Sequence, residues 1–83
     1  MLFEVTISKT VTTVETCTLL VEVEDIHLIT ALDSNINKII NAADEAGDWF
    51  FDHELEMPNH GFSIDTVEPA SDETLEPDLI LGL

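Results

Sequence analysis

The chain has no arginine and only two lysines, Lys9 and Lys38, set against eighteen Asp and Glu. That balance disfavours direct binding of nucleic acid or of an anionic membrane surface, because phosphates would meet carboxylates with no intervening cation. It has one cysteine, Cys17, so no disulfide can form within the chain, and the apolar stretch around it suits a small core side chain better than a reactive thiol. Its three glycines, Gly47, Gly61 and Gly82, are isolated, which leaves no glycine-rich phosphate loop. No uninterrupted apolar run is long enough to span a membrane, and Met1 leads directly into Leu2-Phe3-Glu4 with no basic segment ahead of an apolar one. A cytoplasmic protein is therefore expected.

What is present suffices for one small folded domain. Of 83 residues, 45% are hydrophobic, an ordinary fraction for a globular chain and too high for a wholly disordered one. The formal net charge of -16 exceeds the magnitude of roughly 2–8 that keeps a small domain soluble, and the self-repulsion opposes folding. An excess that costs stability asks for a functional reason, and a basic protein surface is the partner it fits.

The pattern along the chain predicts an α+β domain of about residues 1–68, in ββαββ order. An antiparallel sheet of about four strands carries one helix on one face, followed by an acidic, mobile tail over 69–83. Phe3, Val5 and Ile7 alternate with Glu4, Thr6 and Ser8 in the period of a half-buried strand. Val14 to Val23 continues as a second strand with Cys17, Leu19, Val21 and Val23 on one face, while Leu20 interrupts the polar face. The join through Lys9–Thr13 has no Gly, Pro or Asn, so its turn is left open. Between Asp25 and Ala46 the spacing of Ile29, Leu32, Ile36, Ile39, Ile40 and Ala43 becomes helical. Asp33-Ser34-Asn35 is capping material that allows a start as late as Ser34, and Gly47 is placed to end the helix.

Trp49, Phe51, His53, Leu55 and Met57 then share one strand parity, and Asp52, Glu54 and Glu56 the other. Pro58-Asn59-His60-Gly61 reads as a turn into a last strand, Phe62 to Val67. From Pro69 the chain is rich in acid, Ser, Thr and Pro, and closes on Leu79-Ile80-Leu81-Gly82-Leu83, an end either docked or free to bind. Deleting residues 70–83 is expected to leave folding intact.

No catalytic constellation emerges, and neither enzyme activity nor a cofactor is expected. Cys17 has no neighbouring base. His27, His53 and His60 lack compact ligand spacing, and Asp52 and Glu54 would point away from His53 on a regular strand, so no metal site is expected. The acids are informative by their distribution, since twelve of the eighteen lie from Asp44 onward with no Lys or Arg after Lys38. On a regular strand Asp52, Glu54 and Glu56 would project from one side at intervals of about 6.6–6.8 Å. Neighbouring strands add Glu22, Glu24 and Asp65. Alternation alone would give only a solvated sheet face; the near absence of basic residues raises the reading of a binding surface, because cross-strand positions normally mix charge signs. Phe50, one of three consecutive aromatics, either packs beneath the helix end or the tail, or stands exposed as an anchor for a basic partner.

The Thr-rich opening Val5-Thr6-Ile7-Ser8-Lys9-Thr10-Val11-Thr12, the single helix and the acidic strand Asp52-His53-Glu54-Leu55-Glu56 resemble in kind the small acidic inhibitor proteins of bacteriophages, including DNA-mimic anti-CRISPR proteins. The resemblance implies a host-cytoplasmic inhibitor whose carboxylates stand in for DNA phosphates in the channel of a nucleic-acid-binding complex. Two other classes stay open: an acidic antitoxin or immunity protein, and an interaction module that pairs through a sheet edge. Net repulsion favours a monomer.

Overall fold

The alternation at the start of the chain becomes β1 (Leu2–Thr10), which pairs antiparallel with β2 (Thr13–Glu22) in unbroken register from Leu2 opposite Glu22 to Thr10 opposite Val14. A computed structural model describes residues 1–31 and 33–81 of the chain. The turn at Val11 and Thr12 needs no glycine because later residues hold it: Leu55 N–H donates to the Thr12 carbonyl at 3.0 Å and Asn59 N–H to the Val11 carbonyl at 2.8 Å.

The described helical residues form α1 (His27–Ala31) and α2 (Asp33–Ala46). Asp25 caps α1, its Oδ1 accepting from His27 N–H at 2.9 Å. Asn35, read as capping material, lies inside α2 and is buried, where its Nδ2 donates to the Leu28 carbonyl of α1 at 2.7 Å. Leu32, counted on the apolar helical face, lies outside the described residues. Gly47 closes α2 as the spacing predicts, with φ of 69° and its N–H on the Ala43 carbonyl at 3.1 Å. Asp33 suits the positive end of the helix dipole, but the last turn holds Asp44 and Glu45 and no basic residue, an arrangement that opposes the dipole.

After α2 come β3 (Phe50–Glu54), β4 (Gly61–Pro69) and β5 (Leu79–Ile80). The sheet order is β3-β2-β1-β4, with all of these pairs antiparallel. A fifth strand is added by the chain end, where β5 pairs parallel with β2, Leu79 opposite Val21. The core lies between the sheet and the helices: Val5, Ile7, Leu19 and Val21 meet Ile29, Ile39 and Ala43. Leu81 joins this cluster at 4% exposure.

The chain end is therefore docked, and structure continues past residue 68. Ala70 N–H donates to the Leu2 carbonyl at 2.9 Å, Asp78 N–H to the Leu20 carbonyl at 2.7 Å and Leu81 N–H to the Glu22 carbonyl at 2.8 Å. Asp78 Oδ2 also accepts from Leu20 N–H at 2.8 Å. Gly82 and Leu83 lie outside the described residues. Among the described residues no helix is long and apolar enough to cross a membrane.

Candidate functional site

Because paired residues in an antiparallel ladder share a face, the register fixes what each side of the sheet presents. Phe3, Val5 and Ile7, with Val21, Leu19 and Cys17 opposite them, face the helices. The other side, here the outer face, is built in rows. Thr6 lies between Thr18 and Thr66, Ser8 between Thr16 and Ser63, and Glu4 between Leu20 and Glu68. Hydroxyls cover its middle, where Thr6 and Thr18 Oγ1 are 3.2 Å apart and Ser8 and Ser63 Oγ 2.8 Å apart.

Acids gather at the end of the outer face where β1 begins. Glu4 is directly opposite Glu68, a like-charge pair that costs stability. Glu22, opposite Leu2, is the diagonal neighbour of Glu4 on this face, at a separation of about 7–8 Å. Its Oε1 accepts from the N-terminal ammonium at 2.7 Å. Glu4 and Glu68 were not legible as a pair from the sequence, since they are joined only by the β1–β4 register; the absence of nearby cations was the one signal that pointed toward them.

The expected acidic row on the third strand is not regular. Between β2 and β3 the register shifts, with Glu15 opposite Phe51 and Val14 opposite His53, so Asp52 is the extra residue of a bulge. Glu54 pairs with Thr13 on the helix side, and Glu56 lies beyond the end of β3. The bulge also splits the aromatic parity, placing Phe51 with Glu15 on the helix side and His53 with Val14 on the outer face. The helices do not reach over this short edge strand, and all five of its residues are exposed. Phe51, expected in the core, is 64% exposed. Phe50, opposite Thr16 on the outer face, stands out at 68% exposure.

The remaining acids are dispersed. Glu24 is exposed in the segment after β2. Asp65 is the extra residue of a second bulge, on β4 between Ile64 opposite Ile7 and Thr66 opposite Thr6. Its Oδ1 accepts from Ser63 Oγ at 2.9 Å and Ser8 Oγ at 3.1 Å. Along β2, Glu22 is seven residues from the position that pairs with Phe51, or about 23 Å. Asp65 is separated from β3 by three strand spacings, about 14 Å. The predicted residues thus occupy three separate stations on and beside the sheet rather than one compact patch.

Few cations offset them. Lys9 is used within the fold, its Nζ 3.6 Å from Glu15 Oε2 and 4.4 Å from the centre of the Trp49 ring. The other ion pairs among the described residues are the N-terminal ammonium with Glu22 and His53 with Asp52 at 3.0 Å. Among the described residues, fifteen of the eighteen Asp and Glu side chains are left without a cationic partner. Cys17 is buried, and that burial pushes its thiol pKa up, with the nearby carboxylates of Asp48 and Asp78 adding to the effect. It is held as a thiol rather than a thiolate nucleophile. His27 is on α1, His53 on β3 and His60 in the loop before β4, and among the described residues no three His, Cys, Asp or Glu side chains converge to hold a metal ion.

Compared with known protein families, with curated proteins and with solved structures, the chain matches none.

Proposed function

We propose that this protein is an acidic binding protein that occupies the nucleic-acid-binding surface of a basic partner and so inhibits it, its carboxylates standing where DNA phosphates would lie. The observation that carries this reading is the fifteen carboxylates that, among the described residues, have no cationic partner, most of them exposed. Their density supports it. The long axis is 39 Å, so the net charge of -16 amounts to one charge per about 2.4 Å, against one per roughly 1.7 Å along duplex DNA. The like-charge cross-strand pair of Glu4 and Glu68 and the acids in the last turn of α2 are each local costs that a basic partner would offset. Exposed Phe50, two residues before Asp52 on β3, adds an aromatic anchor.

The reading is tested with charge reversals measured against partners found in a panel of purified nuclease complexes and toxins. Replacing Asp52, Glu54 and Glu56 by Lys, or Glu4, Glu22 and Glu68 by Lys, is expected to weaken binding at least tenfold with the circular dichroism spectrum unchanged. The same reversal of Asp72, Glu73 and Glu76 in the tail does much less. Equal losses from all three sets would show that net charge alone drives association, and would contradict a shaped phosphate mimic.

A further inference from the structure

The sheet has an unpaired edge. β4 is its terminal strand, hydrogen-bonded only to β1, and such an edge presents free N–H and C=O groups to any extended chain. Natural edges are blunted by charge, proline or a bulge, and on β4 these devices are confined to one half: the bulge at Asp65, then Glu68 and Pro69. Gly61-Phe62-Ser63-Ile64 carries none of them.

The same stretch borders a gap in the helical layer. Asn35, Ile39 and Ala43 are the buried stripe of α2, and Ile36 and Ile40, one position further round the helix in each case, are turned toward β4. With Thr30, Phe62, Ser63 and Ile64 they line an open, mainly apolar pocket of about 170 Å³. Phe62 remains 50% exposed there. One further strand beside β4 would drop alternate side chains into this pocket and turn the others toward the outer face, where Asp65 and Glu68 lie.

We infer that this edge binds an extended segment of the partner in which apolar residues alternate with Lys or Arg, adding it as a strand to β4. The inference rests on the reading of the protein as a binder of basic partners and names how part of one is held. Charge selects the occupant. A second copy pairing through β4 would bring together two chains of net charge -16, whereas a basic strand supplies charges opposite to Asp65 and Glu68 and apolar side chains for Ile36, Ile40 and Phe62.

The probe is a ten-residue peptide alternating Val and Lys, compared with a peptide of the same length and charge in which two Val are replaced by Pro, which cannot add a full strand. Titration followed by amide chemical shifts is expected to show the alternating peptide binding at least tenfold tighter, with shifts at residues 61–64 and around Ile36 and Ile40. Ser63→Pro should remove that preference, and Phe62→Asp, which leaves the backbone edge intact, should weaken it. Equal binding of the two peptides, or shifts confined to β3 and the outer face, would overturn edge addition while leaving the general acidic-binder reading in place. Failure of the protein to bind either peptide at low salt would overturn both. A concentration-dependent dimer abolished by Ser63→Pro would put a second copy on the edge and overturn the choice of occupant.

Discussion

The closing residues of the chain are polar for most of their length, yet one side chain near their end completes the core. Leu81 is 4% exposed within the cluster of Val21, Val23 and Ile29, and its N–H bonds to the Glu22 carbonyl at 2.8 Å. Truncating a buried leucine to alanine costs about 2–5 kcal/mol, the lost transfer energy plus that of the cavity left behind. A domain of 83 residues has a total stability on the order of 4–12 kcal/mol, so Leu81→Ala removes a large share of it. Taking about 3 kcal/mol, with about 4–8 °C of melting temperature per kcal/mol for a domain of this size, Tm falls by about 12–24 °C. Ile80, the preceding residue, is 71% exposed, and Ile80→Ala should change stability by no more than about 0.5 kcal/mol. Thermal melts of both variants by far-ultraviolet circular dichroism separate the cases. A Leu81→Ala melt within about 3 °C of the parent would refute the packing argument and restore the view that the tail is dispensable.

Further outcomes follow from the charges. Glu68→Lys replaces the repulsion facing Glu4 by an attractive cross-strand pair and should stabilise the fold by about 0.2–1 kcal/mol, read as a rise in the urea midpoint at unchanged slope; a lower midpoint would mean that the two side chains avoid each other already. For Cys17, the raised thiol pKa means that the folded state keeps a proton which the unfolded chain releases above its ordinary value of 9.0. This group therefore leaves stability untouched below that value and lowers it as pH rises through 9.0 toward the folded pKa. Urea midpoints should fall more steeply as pH rises above 9.0 in the parent than in Cys17→Ala, and parallel slopes would refute the assignment.

Much of the fold was legible because short-range periodicity reports burial. The alternation of Phe3, Val5 and Ile7, the shared face of Cys17, Leu19 and Val21, the helical stripe ending in Ala43 and the stop at Gly47 all correspond to observed elements. Elements fixed by long-range contacts were not legible. The two-residue β5 has no periodicity of its own, and it forms because Leu79 finds the open edge of β2 beyond the end of β3. Asn35, capping material by composition, instead reaches back from α2 to the Leu28 carbonyl of α1, a tertiary bond that capping propensity does not specify. The site suffered most, since a single extra residue at Asp52 reverses the side of every residue that follows in β3. The exposure of Phe50 was one of two outcomes left open, and it was decided by the β2–β3 register, which pairs Phe50 with Thr16 on the outer face, away from the helices.

The central claim is that the exposed carboxylates take the place of nucleic-acid phosphates on a basic partner. The most direct measurement is equilibrium competition between this protein and duplex DNA for the same purified partner, repeated across a range of salt concentrations. The account predicts mutually exclusive occupancy, with each ligand raising the apparent Kd of the other in proportion to its own concentration, and a steep loss of affinity for both as salt rises. A ternary complex in which DNA and this protein bind together without reducing each other's affinity would contradict it.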